Sequence, residues 1–300
     1  MSSAEQQVRT VEVPGAVLAV HRPAGDGGAD GREPGLFVHG LGGSAGNWTA
    51  LMDLLADRVD AEAVDLPGFG ASAPPADGNL SVSGHVRAVI GYLEAAGRGP
   101  VHLFGNSLGG AVAVRLAALR PDLVRSLTLV SPALPELPPQ HSAWPTAMLA
   151  VPGVPALLRR LAANGRGPEE AADDLLRLVY GDPDGLSAAT RAEAVAEYRR
   201  RLAVPHAMPA LVGSARGIVS AYTERGDQAL WRQAEQVAAP VLLVYGLRDK
   251  LVSYRSARRA CAAFADARLL VLPDSGHVAM LEHPEQVARA VRELLGRCGR

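Results

Sequence analysis

A short apolar run, Val101 to Phe104, passes directly into Gly105, Asn106, Ser107, Leu108 and Gly109, and from there into a pattern of helical spacing, Leu108, Val112, Leu116 and Leu119. A strand that becomes a helix within so few residues leaves no room for side chains two positions either side of the turn. The glycines of a G-x-S-x-G pattern are therefore a steric condition of the turn itself. The residue at the apex is forced into a strained backbone conformation, and a serine placed there sits at a helix N-terminus. The unpaired N–H groups and the dipole of that terminus favour negative charge, as a developing oxyanion requires. Chance alone can produce such spacing in a chain with 32 glycines, but the strand-to-helix setting favours a nucleophile turn.

The rest of the chain repeats the strand-and-helix alternation. Val8 to Val13 and Ala16 to His21 read as a hairpin about Pro14 and Gly15, followed by a Gly- and Asp-rich loop from Ala24 to Gly35 that is expected to be mobile. Leu36–His39, Ala61–Asp65, Val101–Gly105, Ser126–Val130, Val241–Tyr245 and Leu269–Leu272 are short apolar runs separated by helical patterns. That alternation predicts an α/β fold with a mostly parallel central sheet covered by helices on both faces. Between Pro132 and Gln236 the rhythm stops and prolines cluster, so an inserted helical cap is expected at 134–235, with the core formed by 1–133 and 236–300.

A serine hydroxyl is a weak nucleophile near neutral pH and needs a base, which in turn needs a group to orient it. His277, in Ser275-Gly276-His277 after a strand, is the best-placed histidine, and Asp249, in Gly246-Leu247-Arg248-Asp249 after another strand, is the matching acid. Asp274 is a rival too close in sequence to reach the ring from behind and reads as a turn residue. His102 reads as a strand or core residue, and His283 as a helix cap. The oxyanion donors are expected to be the Leu108 N–H and, from the loop His39-Gly40-Leu41-Gly42-Gly43, the Leu41 N–H. That loop lacks the Lys-Ser/Thr pair of a phosphate-binding turn. Trp48 reads as packing.

With Ser107, Asp249 and His277 in this order, the chain resembles the α/β-hydrolase family. Asp65-Leu66-Pro67-Gly68-Phe69-Gly70-Ala71-Ser72 after the fourth strand and a helical insert after the sixth extend the resemblance over nearly the whole chain. It implies a lidded serine hydrolase related to esterases, epoxide hydrolases and carbon–carbon bond hydrolases. Ser107 argues against the family members that carry an aspartate nucleophile.

The first expectation is hydrolysis of a small, largely apolar carboxylic ester, thioester or lactone through an acyl-enzyme. The alternatives are a carbon–carbon (diketone) hydrolase, with Arg216, Arg225 or Arg248 available for a carboxylate, and a ligand-sensing protein that keeps the fold. Trp144, Met148, Tyr180, Met208, Tyr222 and Trp231 are candidates to line a substrate pocket, or else pack inside the cap. Arg199 to Arg201, beside Glu193 and Glu197, read as a solvated helix face. With 30 basic against 31 acidic residues, the net charge of −1 gives no general attraction to nucleic acid or anionic membranes. A small-molecule substrate is the expected partner, with no cofactor or metal, acting as a monomer or homodimer. A polar N-terminus and the absence of a long apolar segment point to the cytoplasm. Cys261 and Cys298 are expected as reduced thiols in helices.

Overall fold

The computed structural model describes residues 7–23, 31–136, 140, 148, 151 and 167–298; of the loop expected over 24–35, residues 24–30 lie outside them. Glu33 to Gly35 are strand instead, because they pair in register with Val59 to Ala61. Eight strands form one sheet: β1 (Gln7–Val13), β2 (Ala16–Arg22), β3 (Glu33–Val38), β4 (Val59–Val64), β5 (Val101–Asn106), β6 (Val124–Val130), β7 (Val241–Gly246) and β8 (Ala267–Leu272). Their spatial order is β1-β2-β4-β3-β5-β6-β7-β8. Only the β1–β2 and β2–β4 pairings are antiparallel; from β4 onward every pairing is parallel. Parallel neighbours cannot be joined by tight turns, so each crossover carries a helix, and both sheet faces become covered.

The two faces have separate cores. On one, α2 (Val82–Ala95) and α3 (Leu108–Leu119) pack Val86, Tyr92, Val112 and Leu116 against Leu36, Leu103 and Leu129 of the sheet. On the other, α1 (Thr49–Leu55) and the C-terminal Pro284–Cys298 helix bring Trp48, Leu51, Val287 and Val291 against Phe37, Phe104 and Val244. Phe37 and Phe104 stack with ring centroids 4.0 Å apart on adjacent strands, and Trp48 packs on the pair, as expected of a core residue. Helix α2 starts where Ser81, its N-cap, accepts a hydrogen bond from the Gly84 N–H at 3.1 Å.

Between β6 and β7 the chain leaves the sheet through α4 (Pro168–Val179), α5 (Ala188–Ala203), α6 (Ala207–Thr223) and α7 (Leu230–Gln236), with no strand among the described residues. The C-terminal part then adds α8 (Ala257–Ala263), α9 (Ala279–Glu282) and α10 (Pro284–Cys298). Two buried polar side chains of the core, His85 and Arg115, fasten the excursion to it. His85 Nε2 of α2 meets Ser214 Oγ of α6 at 3.0 Å. Arg115 of α3, almost fully buried, donates to Gln233 Oε1 (2.9 Å), the Gln228 carbonyl (2.8 Å) and Ser83 Oγ (2.7 Å), and pairs with Glu224. Trp231 Nε1 donates to the Pro135 carbonyl at 2.9 Å, joining the way out of the core to the way back. Cys261 and Cys298 are free thiols on α8 and α10.

The glycines of the β5–α3 turn are packing requirements. A methyl group on Gly105 would overlap the Gly109 carbonyl, one on Gly109 would overlap the Val38 and His39 carbonyls, and one on Gly110 would come within 2.8 Å of Pro132 Cα. Gly109→Ala should therefore lower the unfolding free energy by about 1–3 kcal/mol or more, because backbone rather than a flexible side chain must move. Gly296→Ala, in open space on α10, should instead leave it unchanged or raise it by about 0.5–1 kcal/mol. Urea unfolding of the two variants separates the cases.

Candidate active site

Strand β5 ends at Asn106 and α3 begins at Leu108, so Ser107 makes the turn alone, with φ 51° and ψ −114°. Such a conformation costs roughly 1–3 kcal/mol for a residue with a side chain and persists only where the surroundings impose it. Here they do. The Ser107 N–H donates to the Val130 carbonyl at 3.1 Å, and its own carbonyl accepts from the Ala111 N–H at 3.1 Å and the Ala133 N–H at 2.9 Å. Leu108, the first helical residue, belongs to the turn whose N–H groups have no partner within the helix.

Asp249 follows β7 and His277 follows β8, so both lie at the carboxyl end of the sheet, as Ser107 does. His277 Nδ1 and Asp249 Oδ2 are 2.9 Å apart, and both residues are buried. Asp249 Oδ1 accepts from the Leu251 N–H at 2.8 Å and the Val252 N–H at 3.0 Å. Burial alone would raise the Asp249 pKa, but the facing His277, its hydrogen bond and the Val252 N–H hold it below the usual carboxylate value. A carboxylate on Nδ1 leaves Nε2 as the nitrogen that exchanges a proton with a substrate or nucleophile. Asp274 is elsewhere: it is exposed and pairs with Arg248 at 2.9 Å. Asn106 Nδ2 donates to the Val130 carbonyl at 3.0 Å and the His277 carbonyl at 3.1 Å, joining the serine strand to the histidine loop.

The Gly40–Leu41 loop lies against the serine. A methyl group on Gly40 would come within 2.7 Å of Asn106 Oδ1 and 3.1 Å of Ser107 Cβ. His39 fixes that loop. Its Nε2 accepts the Leu66 N–H at 2.9 Å, so the proton of the neutral ring is on Nδ1, 2.7 Å from the Gly40 carbonyl. Complete burial pushes the His39 pKa down, against the pull of Asp65, and keeps the ring neutral. Asp65 performs the complementary task. Its Oδ1 accepts the Ala45 N–H at 2.7 Å, and its Oδ2 accepts the Ala71 N–H at 2.8 Å and faces His21 Nε2 at 3.0 Å. Asn106, His39 and Asp65 have no role in the sequence reading, although Asp65 opens the D-L-P-G-F-G-A-S run; only the spatial partners reveal what they hold.

The six candidate pocket residues are scattered. Trp144 lies outside the described residues. Met148 and Met208 are each about two-fifths exposed. Tyr180 is buried at the end of α4, and Tyr222 is half-buried on α6. Trp231 joins the core of the α2–α3 face, with the Arg259 guanidinium 4.2 Å over its ring. A cavity of about 360 Å³ opens between Gly42–Ser44, Gly68–Ala71 and helices α5 and α6, walled by Phe69, Leu211 and Arg201. Arg199 and Arg200 follow the expected solvated face and pair with Glu169 and Glu197. Arg201 departs from it. Its side chain is only 26% exposed and reaches the loop, with Nη1 3.4 Å from a methyl group built on Gly42, and burial lowers its pKa.

A sequence model of the α/β-hydrolase fold matches residues 36–284. This chain belongs to the α/β-hydrolase family. Among its relatives, the dihydrolipoyllysine-residue acetyltransferase component of an acetoin cleaving system from Pseudomonas putida is 31% identical over 279 residues. That alignment takes in 92% of this chain but 66% of the relative, just under two thirds of its length. The pimeloyl-[acyl-carrier protein] methyl ester esterase of Aeromonas hydrophila subsp. hydrophila is 28% identical over 89% of this chain and 97% of its own. The 2-hydroxy-6-oxo-6-(2'-aminophenyl)hexa-2,4-dienoic acid hydrolase of Metapseudomonas resinovorans is 27% identical over 88% of this chain and 84% of its own. No helix among the described residues of this α/β hydrolase is long and apolar enough to cross a membrane.

The Asp65 contacts carry a pH signature. Burial opposes its charge, but His21, His39 and the Ala71 and Ala45 N–H groups lower its folded pKa. Its contribution to stability is therefore present above the unfolded value of about 3.9 and is lost as pH falls through the lower folded value. Asp65→Asn should cost roughly 1–3 kcal/mol at pH 7 and should reduce the stability difference between pH 7 and pH 3. Denaturant titrations at the two pH values check both.

Proposed function

We propose that the protein is a serine hydrolase in which Ser107 is the nucleophile, His277 the general base and Asp249 the group that orients the imidazole. The observation that carries this reading is the buried 2.9 Å contact between His277 Nδ1 and Asp249 Oδ2, at the same sheet edge as a serine held at φ 51°. In the proposed reaction the Ser107 Oγ attacks an acyl carbonyl while His277 Nε2 takes its proton. The resulting imidazolium is stabilised by the Asp249 carboxylate, and the proton then passes to the leaving group. The tetrahedral oxyanion is held by the Leu108 and Leu41 N–H groups, one at the start of α3 and the other beside the glycine that touches Ser107. Water, activated by the same histidine, releases the acid from the acyl-enzyme.

Residues 134–235 act as a cap over this edge in the proposed enzyme, which works in the cytoplasm on a small, largely apolar ester, thioester or lactone. The esterase name of the Aeromonas relative supports acyl-oxygen chemistry. The Arg201 guanidinium beside Gly42 favours a second reading, carbon–carbon hydrolysis of a diketone bearing a carboxylate, the chemistry named for the Metapseudomonas relative. A panel of aryl esters, thioesters, lactones and vinylogous diketone acids decides between them, with esters expected to turn over fastest. On the best substrate Ser107→Ala should lower kcat by roughly 10³-fold or more, and Asp249→Asn by about 10⁴-fold because the amide favours the wrong imidazole tautomer. Full activity in Ser107→Ala contradicts the assignment, and a large loss in Asp274→Asn with none in Asp249→Asn reassigns the acid.

A further inference from the structure

The histidine loop is held by a carboxylate that the catalytic reading does not use. His277 is followed by the short helix α9, whose Leu281 and Glu282 N–H groups both donate to the Val278 carbonyl, at 2.7 and 3.1 Å. This tight return brings the Glu282 side chain back to the residues that precede the histidine. Its Oε1 accepts the Gly276 N–H at 2.7 Å and the Ser275 hydroxyl at 3.1 Å. Its Oε2 reaches across to the excursion and accepts the Gly181 N–H at 2.7 Å. One carboxylate therefore bridges the histidine loop and the segment that ends α4.

The same segment holds His277 directly, because the His277 N–H donates to the Val179 carbonyl at 2.7 Å. The two backbones touch: a methyl group on Gly276 would lie 2.5 Å from the Gly181 nitrogen. Consecutive N–H groups at 276 and 277 are thus satisfied, one by Glu282 and the other by the excursion. If Val179–Gly181 withdrew, the His277 N–H and one oxygen of Glu282 would lose their partners together. Charge-assisted bonds to a carboxylate are among the stronger ones available to an N–H, so the bridge resists that withdrawal. Around it stand Tyr180, whose phenol is raised to about 12 by burial and then by the Glu282 and Glu193 charges, and Arg248, whose Nη1 is 3.5 Å from the Gly181 carbonyl.

We propose that Glu282 is a positioning residue that aligns His277 with Asp249 and makes this alignment conditional on the seating of Val179–Gly181. The proposal rests on His277 being the base. Its effect is on the step in which His277 moves a proton, so it is read in kcat rather than in substrate affinity.

Glu282→Gln keeps the shape but supplies one acceptor where the carboxylate supplies two, so either Gly276 or Gly181 loses its bond. On the best ester, kcat should fall roughly 10- to 100-fold, the scale of a small misplacement of a catalytic group, with KM within about twofold. Gly181→Ala, which displaces the segment from the other side while leaving Glu282 intact, should give the same split. The proposal is overturned if both variants keep kcat within about twofold of the parent, if the loss lies in KM, or if melting temperature falls while kcat per folded molecule is unchanged. His277→Ala separates the two levels of the argument. If it retains turnover, the base assignment fails and this proposal with it; if it is inactive while Glu282→Gln matches the parent, only the positioning role fails.

Discussion

Everything at the carboxyl edge of this sheet depends on the passage from β5 to α3 through a single residue. The glycines at 105 and 109 let a strand and a helix approach until a methyl group on either would overlap a backbone carbonyl. Once that approach is made, Ser107 has no relaxed conformation left, and its backbone is pinned by Val130, Ala111 and Ala133. The strain is local and the packing that imposes it is extensive, since α3 is buried from Leu108 through Ala117. The Gly40 loop can then lie against the serine because residue 40 carries no side chain to hold it off.

A second serine–histidine–carboxylate grouping shows why placement rather than composition makes a site. His102 lies 2.7 Å from Ser126 Oγ through Nδ1 and 2.7 Å from Glu33 Oε2 through Nε2, on adjacent strands β3, β5 and β6. It sits toward the amino ends of those strands, with His102 and Ser126 buried. Burial lowers the His102 pKa against the pull of Glu33, and for Glu33 the opposing effect of burial is outweighed by His102 and Arg125, which lower its pKa. The serine there lies within a strand rather than at a turn into a helix, so it does not head a helix as Ser107 does. The same residue types close a polar contact within the sheet instead of presenting a nucleophile.

The fold was legible because its signals are local. Parallel strands buried on both faces read as continuous apolar runs, and each expected run became a strand with ends displaced by at most two or three residues. The glycines around Ser107 and the order Ser107, Asp249, His277 were equally visible. What could not be read were contacts between residues far apart in the chain: Asp65 with Ala45 and His21, Asn106 with His277, and Arg115 with Gln233. Arg201 shows the limit from the other side. Its neighbours Glu193 and Glu197 suggest a solvated face, yet the packing of α5 on the Gly42 loop buries its side chain, which no helical periodicity encodes. Glu282 likewise reads as one acid in a short helical turn, and its two partners are visible only in three dimensions.

The central claim is that Ser107 is an activated nucleophile because His277 and Asp249 share its edge of the sheet. Its most direct test is covalent. The protein is treated with a serine-directed fluorophosphonate, digested, and the modified peptide mapped by mass spectrometry. The account predicts a single stoichiometric adduct on Ser107, formed at a rate that collapses in His277→Ala. An adduct on another serine, or equal labelling of Ser107 with and without the histidine, contradicts it.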